Sequence, residues 1–320
     1  MENVIFLALI CFKSILINRY MASEVSKIMK EIKELKIQGA RRVAAASANA
    51  LAISIAKSKA KDKDSFLKEI ERTGDRLIGL RSTEPMVRNT IRYFMANLEA
   101  GKSVQEMKAI AKATLKKYDE QFTKSFVKIT EYGADMIWDG QTVLTHCHST
   151  TVNSILVHAH KHKKIKVICT ETRPRYQGHL TAKQLSDSGV DVTLIVDSAI
   201  KHVMKSVDLV IVGADSVTAE GALYNKIGTS TIATVAHDMR VPFYSATQIY
   251  KFDPITRLGK MTEIEMRSVK EVMPKPMKGV KVINPAFDIT DPLYIRAYIT
   301  EAGIIPPQNV ANVAEHYICH

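Results

Sequence analysis

Cysteine is scarce, acidic residues are outnumbered, and no apolar run is long; each shortage narrows what this chain can be. Four cysteines among 320 residues, Cys11, Cys147, Cys169 and Cys319, show no CxxC spacing. That excludes a disulfide scaffold and fits a reducing compartment, so a cytoplasmic protein is expected. The apolar stretch Val4 to Leu16 is interrupted by Lys13, lacks a basic leader and a small-residue cleavage site, and is too short to span a bilayer. No membrane partner is expected. Asp and Glu number 33 against 45 Lys and Arg, a net charge of +12 with a pI near 9.4. This balance favours anionic partners, whether phosphate esters, nucleic acid or an acidic protein surface. The basic residues are spread along the whole chain, and the densest run, Lys57 to Lys63, reads as a solvated helix end or loop. A nucleic-acid groove is therefore not expected.

What is present is enough apolar material, 46% of the chain, for one large or two ordinary domains with a core. Residues 1–20 precede Met21 and an ordinary amphipathic start at Ala22-Ser23-Glu24; they read either as an artefact of start assignment or as a short packing helix. From residue 21 to about 130, Glu, Lys and Ala dominate and apolar positions recur three and four apart, predicting four or five helices. Ser103 with Glu106 forms a capping-box signal, and Pro85 predicts a break near Arg81. Residues 131–320 change to short β-rich runs: Thr142 to His146, Ile165 to Cys169, Val192 to Val196, Leu209 to Val212, Phe243 to Ala246 and Val280 to Ile283. Helical stretches between them suit βαβ units, so an α/β chain is expected, a helical N-terminal domain followed by a doubly wound parallel sheet of about six strands.

Open parallel sheets bind ligands beyond the carboxyl ends of their strands, and two of these runs stop at useful residues. The first ends in Thr145-His146-Cys147-His148-Ser149-Thr150, where a helix start would lower a thiol pKa and make Cys147 a base or nucleophile. A buried structural cysteine is the alternative, and for Cys169, inside an apolar run, it is the expectation. The fourth run leads through Gly213-Ala214 to Asp215, which is placed low in the crevice; a structural cap is its alternative use. Asn225-Lys226 and Gly228-Thr229 then supply an amide, a cation and a turn able to hold phosphate. Glu171 to Gly178 brings Arg173, Arg175 and Gln177 to a strand end, suited to phosphate or hydroxyl recognition, unless Glu171 and Arg173 pair across a subunit contact. Lys251 follows the fifth run, while Arg81 and Gln38-Gly39-Ala40-Arg41 lie at helix junctions of the first half. His146 and His148 have no partners at metal-ligand spacing, so no metal is expected.

Together the strings THCHS (145–149), ETRPRYQG (171–178), VGADS (212–216), NKIGT (225–229), YKF (250–252), NPAFD (284–288) and GIIPP (303–307) resemble the initiation-factor-2B-like family. The similarity is greatest to its archaeal ribose-1,5-bisphosphate isomerases, with methylthioribose-1-phosphate isomerases and regulatory subunits of initiation factor 2B as relatives. The resemblance implies a Rossmann-like second domain and conversion of ribose 1,5-bisphosphate to ribulose 1,5-bisphosphate in nucleotide salvage. It implies Cys147 as proton acceptor and Asp215 as proton donor, with substrate contacts at Gln38, Gly39, Ala40, Arg41, Arg81, Gln177, Asn225, Lys226 and Lys251. It further implies no organic cofactor, AMP as an activator, and a homo-oligomer, a hexamer built from dimers. The chain departs from the isomerases twice, reading Gln38-Gly39-Ala40-Arg41 where they usually carry Arg-Gly-Ala-Gly, and Arg81-Ser82-Thr83 where they usually carry Arg-Pro-Thr. Regulatory subunits generally lack the Cys and Asp pair kept here. A sugar-phosphate-binding regulatory subunit and a methylthioribose-1-phosphate isomerase are the competing expectations.

Overall fold

A computed structural model describes residues 24–318 apart from 38, 82, 261, 262 and 276. The expected N-terminal extension 1–20 and Gln38 lie outside the described residues. The chain divides into two compact units, one ending at Glu120 and the other beginning at Gln121.

The first unit is helical, and its helix ends follow the local chemistry. Helix α1 covers 24–33 of the described residues, followed by α2 (Ala40–Lys57), α3 (Lys63–Leu80), α4 (Pro85–Glu99) and α5 (Val104–Asp135). Helix α3 starts where Asp62 accepts the Ser65 N–H at 2.9 Å, and α4 starts on Pro85, whose missing N–H costs nothing there. At the start of α5 the Ser103 hydroxyl accepts the Glu106 N–H and the Glu106 carboxylate reaches back to the Lys102 N–H, satisfying two donors that a helix start leaves open. Helices α2, α3 and α4 pack mutually around Leu51, Phe66, Ile70, Phe94 and Leu98, all fully buried.

In the second unit the elements run β1 (Thr142–Thr145), α6 (Thr150–His160), β2 (Lys166–Thr170), α7 (Gln177–Asp187), β3 (Asp191–Ile195), α8 (Ile200–Val203) and β4 (Leu209–Val212). There follow β5 (Ser216–Val217), β6 (Leu223–Lys226), α9 (Thr229–Asp238), β7 (Phe243–Ala246), α10 (Val269–Val272), β8 (Phe287–Thr290), β9 (Ala297–Thr300), β10 (Gly303–Ile305) and α11 (Val310–Ile318). A seven-stranded sheet has the order β10-β9-β7-β4-β1-β2-β3, all neighbours parallel except the β9–β10 pair. Successive strand residues face opposite ways, so Val143 and Ile211 join a core with α6, α7 and the end of α5, while Leu144, Val210 and Val212 join one with α9 and α11. That is the doubly wound, Rossmann-like arrangement expected. Strands β5, β6 and β8 form a separate antiparallel sheet in the order β5-β6-β8.

One expected strand is absent. Residues Val280 to Ile283 are irregular and largely exposed, with Ile283 at 78%, and the position beside β7 belongs instead to β9, whose four residues are all buried. β-Branched residues favour strands only where a neighbour offers a ladder, and the Val280 segment has none. The expected helix cluster, by contrast, is present. No helix among the described residues is long and apolar enough to cross a membrane.

Candidate active site

The chain leaves β1 toward β2 and β3 on one side, whereas β4, next to β1, leads to β7 and β9 on the other. The crevice of an open sheet lies where the winding reverses, beyond the carboxyl ends of β1 and β4. Cys147 follows β1 there and Asp215 follows β4. Asp215 and Asp197 raise the Cys147 thiol pKa, while the Lys226 ammonium lowers it. Thiol and carboxylate thus follow neighbouring strands on the carboxyl side of the sheet.

The backbone of Cys147 has φ +66°, a left-handed conformation uncommon for residues with a side chain. Its N–H donates to the Thr172 hydroxyl oxygen at 2.9 Å, and its carbonyl accepts the Thr181 hydroxyl at 2.8 Å. Burial pushes the thiol up to about 11, overcoming Lys226 and a hydrogen bond from the His148 N–H, both of which pull it down. The expected thiolate-favouring helix start is thus outweighed by desolvation. Cys169 is core, as expected, and burial pushes its thiol up to about 12.

His146, fully packed, donates from Nε2 to the Ile227 carbonyl oxygen at 2.9 Å and accepts the Thr170 hydroxyl at Nδ1. A carbonyl only accepts, so the hydrogen sits on Nε2, and burial, which lowers the pKa of the ring, keeps it neutral. His146 thereby ties the end of β1 to the turn after β6. His148 Nδ1 bonds the Thr181 hydroxyl at 3.0 Å, so both rings serve hydrogen bonds.

Around Asp215 the polar groups come from three strands. Its N–H donates to the Tyr224 carbonyl oxygen at 2.9 Å, which pairs the residue with the start of β6. The Lys251 ammonium, on the turn after β7, donates to the Ala214 carbonyl oxygen, so the cation stands one residue from the carboxylate. Gly213 lets the end of β4 meet α6, because a Cβ there would lie 2.9 Å from Ser149 Oγ. Asn225 is buried, its amide donating to the Thr229 hydroxyl at 3.1 Å, and the Lys226 ammonium stands 5.0 Å from the Phe287 ring centre.

The amino end of α9, expected to hold phosphate at Gly228-Thr229, is filled by the protein itself. Asp288 Oδ2 accepts the Gly228 N–H at 2.7 Å and the Ser230 N–H at 3.1 Å, and burial pushes its carboxyl up to about 6. Asp288 was missed as a site residue because only the β6–β8 pairing, with Asn225 opposite Asp288, brings it here.

Gln177 opens α7, and its Oε1 is buried without a hydrogen-bond partner among the described residues. Of the two arginines beside it, Arg173 donates to the Tyr176 hydroxyl at 2.6 Å and Arg175 lies 3.8 Å from Glu271. In the helical unit, Gly39 caps α2 with φ +86°, Ala40 is buried, Arg41 is half-buried on the first turn, and Arg81 is ion-paired to buried Glu84.

Fold and site together define an α/β protein with a thiol and a carboxylate under lysines at the switch point of its sheet. The chain belongs to the initiation factor 2 subunit family, whose model matches residues 36–307. A ribose 1,5-bisphosphate isomerase of Methanocaldococcus jannaschii is 43% identical over 296 residues, 92% of this chain and 95% of that one. Another of that description, from Archaeoglobus fulgidus, is 42% identical over 288 residues, 89% of this chain and 90% of the relative. Among solved structures, a 5-methylthioribose 1-phosphate isomerase from Pyrococcus horikoshii matches with a TM-score of 0.75 at 30% identity, covering 92% of this chain and 88% of that one.

Proposed function

We propose that the protein is an aldose–ketose isomerase that converts ribose 1,5-bisphosphate to ribulose 1,5-bisphosphate. The observation that carries this reading is the placing of Cys147 and Asp215 just past the adjacent strands β1 and β4, with Lys226 at the end of β6 acting on the thiol, in a chain 43% identical to an isomerase of that description. The reaction adds and removes nothing. The ring C1–O bond opens as the ring oxygen gains a proton, O2 loses its proton, and the C2 hydrogen moves to C1, leaving a ketone at C2.

Asp215 is the proton donor in this proposal and Cys147 the acceptor. The C2 hydrogen travels either as a hydride or as a proton through an enediol; both routes need the same two groups at oxygen-bound or carbon-bound protons. Lys226 and Lys251 offset phosphate charge, and Asn225 and Gln177 bind oxygens through their amides. In the helical unit the same proposal gives substrate contacts to Gln38, Gly39, Ala40, Arg41 and Arg81. It extends to a cytoplasmic homo-oligomer, a hexamer built from dimers, acting in nucleotide salvage with AMP as activator.

Purified protein incubated with ribose 1,5-bisphosphate, with and without AMP, is expected to produce ribulose 1,5-bisphosphate. No product under either condition overturns the reading. Cys147→Ser and Asp215→Asn are each expected to lower turnover by at least ~10²-fold with folding unchanged by circular dichroism. Near-normal turnover by either variant removes that residue from the chemistry. The second reading, methylthioribose-1-phosphate isomerisation, is favoured by the Pyrococcus horikoshii structure. A substrate with one phosphate needs one anion site, so preference for methylthioribose 1-phosphate over the bisphosphate would establish it instead.

A further inference from the structure

Three residues with side chains, Cys147, Thr172 and Tyr176, adopt left-handed backbone conformations just past the carboxyl ends of β1 and β2, at φ +66°, +61° and +56°. For a β-branched residue such as Thr172 this is a strained geometry, held only where the surroundings over-determine it. Here the surroundings are explicit. The Asp197 carboxylate, beyond β3, accepts the Thr172 N–H at 2.8 Å and the Arg173 N–H at 2.7 Å. The Thr172 hydroxyl, with 0% of the residue exposed, accepts the Cys147 N–H at 2.9 Å. A buried hydroxyl costs free energy unless bonded, so the Thr172–Cys147 contact is the favoured state of both groups.

We propose that Thr172, seated on Asp197, is a positioning residue that fixes Cys147 in its left-handed conformation and so aims the thiol at the substrate. The proposal rests on Cys147 as the reacting thiol of the isomerase. It adds residues from two further strands to the machinery. The charged and titratable groups facing the thiol are Lys226, which lowers its pKa, and Asp215 and Asp197, which raise it; His146 stays neutral and His148 is half-buried with its pKa lowered by burial.

The test uses the full chain and two readouts. Steady-state kinetics with ribose 1,5-bisphosphate separate kcat from KM, and iodoacetamide alkylation of Cys147 from pH 7 to 11, located by peptide mass mapping, follows the thiol without substrate. Thr172→Val should lower kcat by about 10²-fold with KM little changed, as a misplacement of about 1 Å can. Its alkylation midpoint should fall as the loosened thiol gains water. Thr172→Ser, which keeps the hydroxyl, should overlay the parent in both readouts. Asp197→Asn should move the alkylation midpoint down, since a like charge near the thiol is removed. Parent-like values for both the Val and the Asn variant overturn the proposal. A parent without isomerase activity overturns the functional reading alone, because the alkylation midpoints still judge the clamp.

Discussion

The Cys147 thiol sits between the end of β1 and the start of α6, desolvated by its surroundings. A thiol at a helix start reads as activated, yet burial pushes it up to about 11, with Lys226 only partly compensating. The thiolate, the form able to accept a proton, grows as pH climbs toward that value. Alkylation of Cys147 by iodoacetamide is therefore expected to quicken about tenfold per pH unit between pH 7 and 9, the slope of a single thiol titrating well above that range. A rate flat over that range would show that desolvation does not hold the thiol protonated. Asp288 teaches the same lesson from the other direction: its spacing carries no signal, and only its backbone partners Gly228 and Ser230 reveal what it does. In the proposed function, phosphate recognition then falls to side chains such as Lys226 and Lys251, not to the amides of α9, which Asp288 occupies.

At the scale of elements, local chemistry was legible wherever it was self-contained. The start of α5 follows from Ser103 and Glu106, and the break before α4 from Pro85, because these bonds join residues within one turn. Strands β1, β2, β3, β4 and β7 follow from their apolar runs. The failure at Val280 to Ile283 and the overlooked β9 share one cause: a strand is decided by the neighbour it pairs with, and β9 has one on each side, in β7 and β10. Some element junctions admit no side chain at all. A Cβ at Gly178 would collide with the Thr170 carbonyl oxygen, so the turn from β2 into α7 closes only on glycine. Gly178→Ala is expected to cost about 1–3 kcal/mol, as overpacking against fixed backbone does. Thermal unfolding would show it as a fall in Tm of several degrees, about 2–4 °C per kcal/mol in a unit of this size. An unchanged Tm would mean that the β2–α7 turn yields freely. Gln177, next to it, would shift with the turn, so KM should rise as well.

For the whole molecule, the net charge of +12 is a property no single contact explains. For the proposed bisphosphate substrate, a charge of this sign favours capture of the anion at the crevice, where Lys226 acts on the Cys147 thiol and Lys251 bonds the Ala214 carbonyl oxygen beside Asp215. Screening shortens from about 10 Å at 0.1 M salt to about 3 Å at 1 M, so kcat/KM for a bisphosphate should fall steeply as KCl is raised, with kcat changing little. Equal loss in both parameters, or none, would show that long-range attraction plays no part in capture. A monophosphate substrate should lose less, which gives a second check on the choice of substrate.

By itself the sequence determined the helical first half, the doubly wound second half and the types of residue left at its strand ends. These follow from periodicity and from short-range bonds, which depend on neighbours in the chain. Only the tertiary structure decided that Cys147 and Asp215 follow adjacent strands, because β1 lies beside β4, that Asp288 fills the α9 terminus, and that Asp197 reaches Cys147 through Thr172. Strand order and burial set those outcomes, because an electric field and a hydrogen bond act on distance in space, and the distance along the chain from Cys147 to Asp215 says nothing of it.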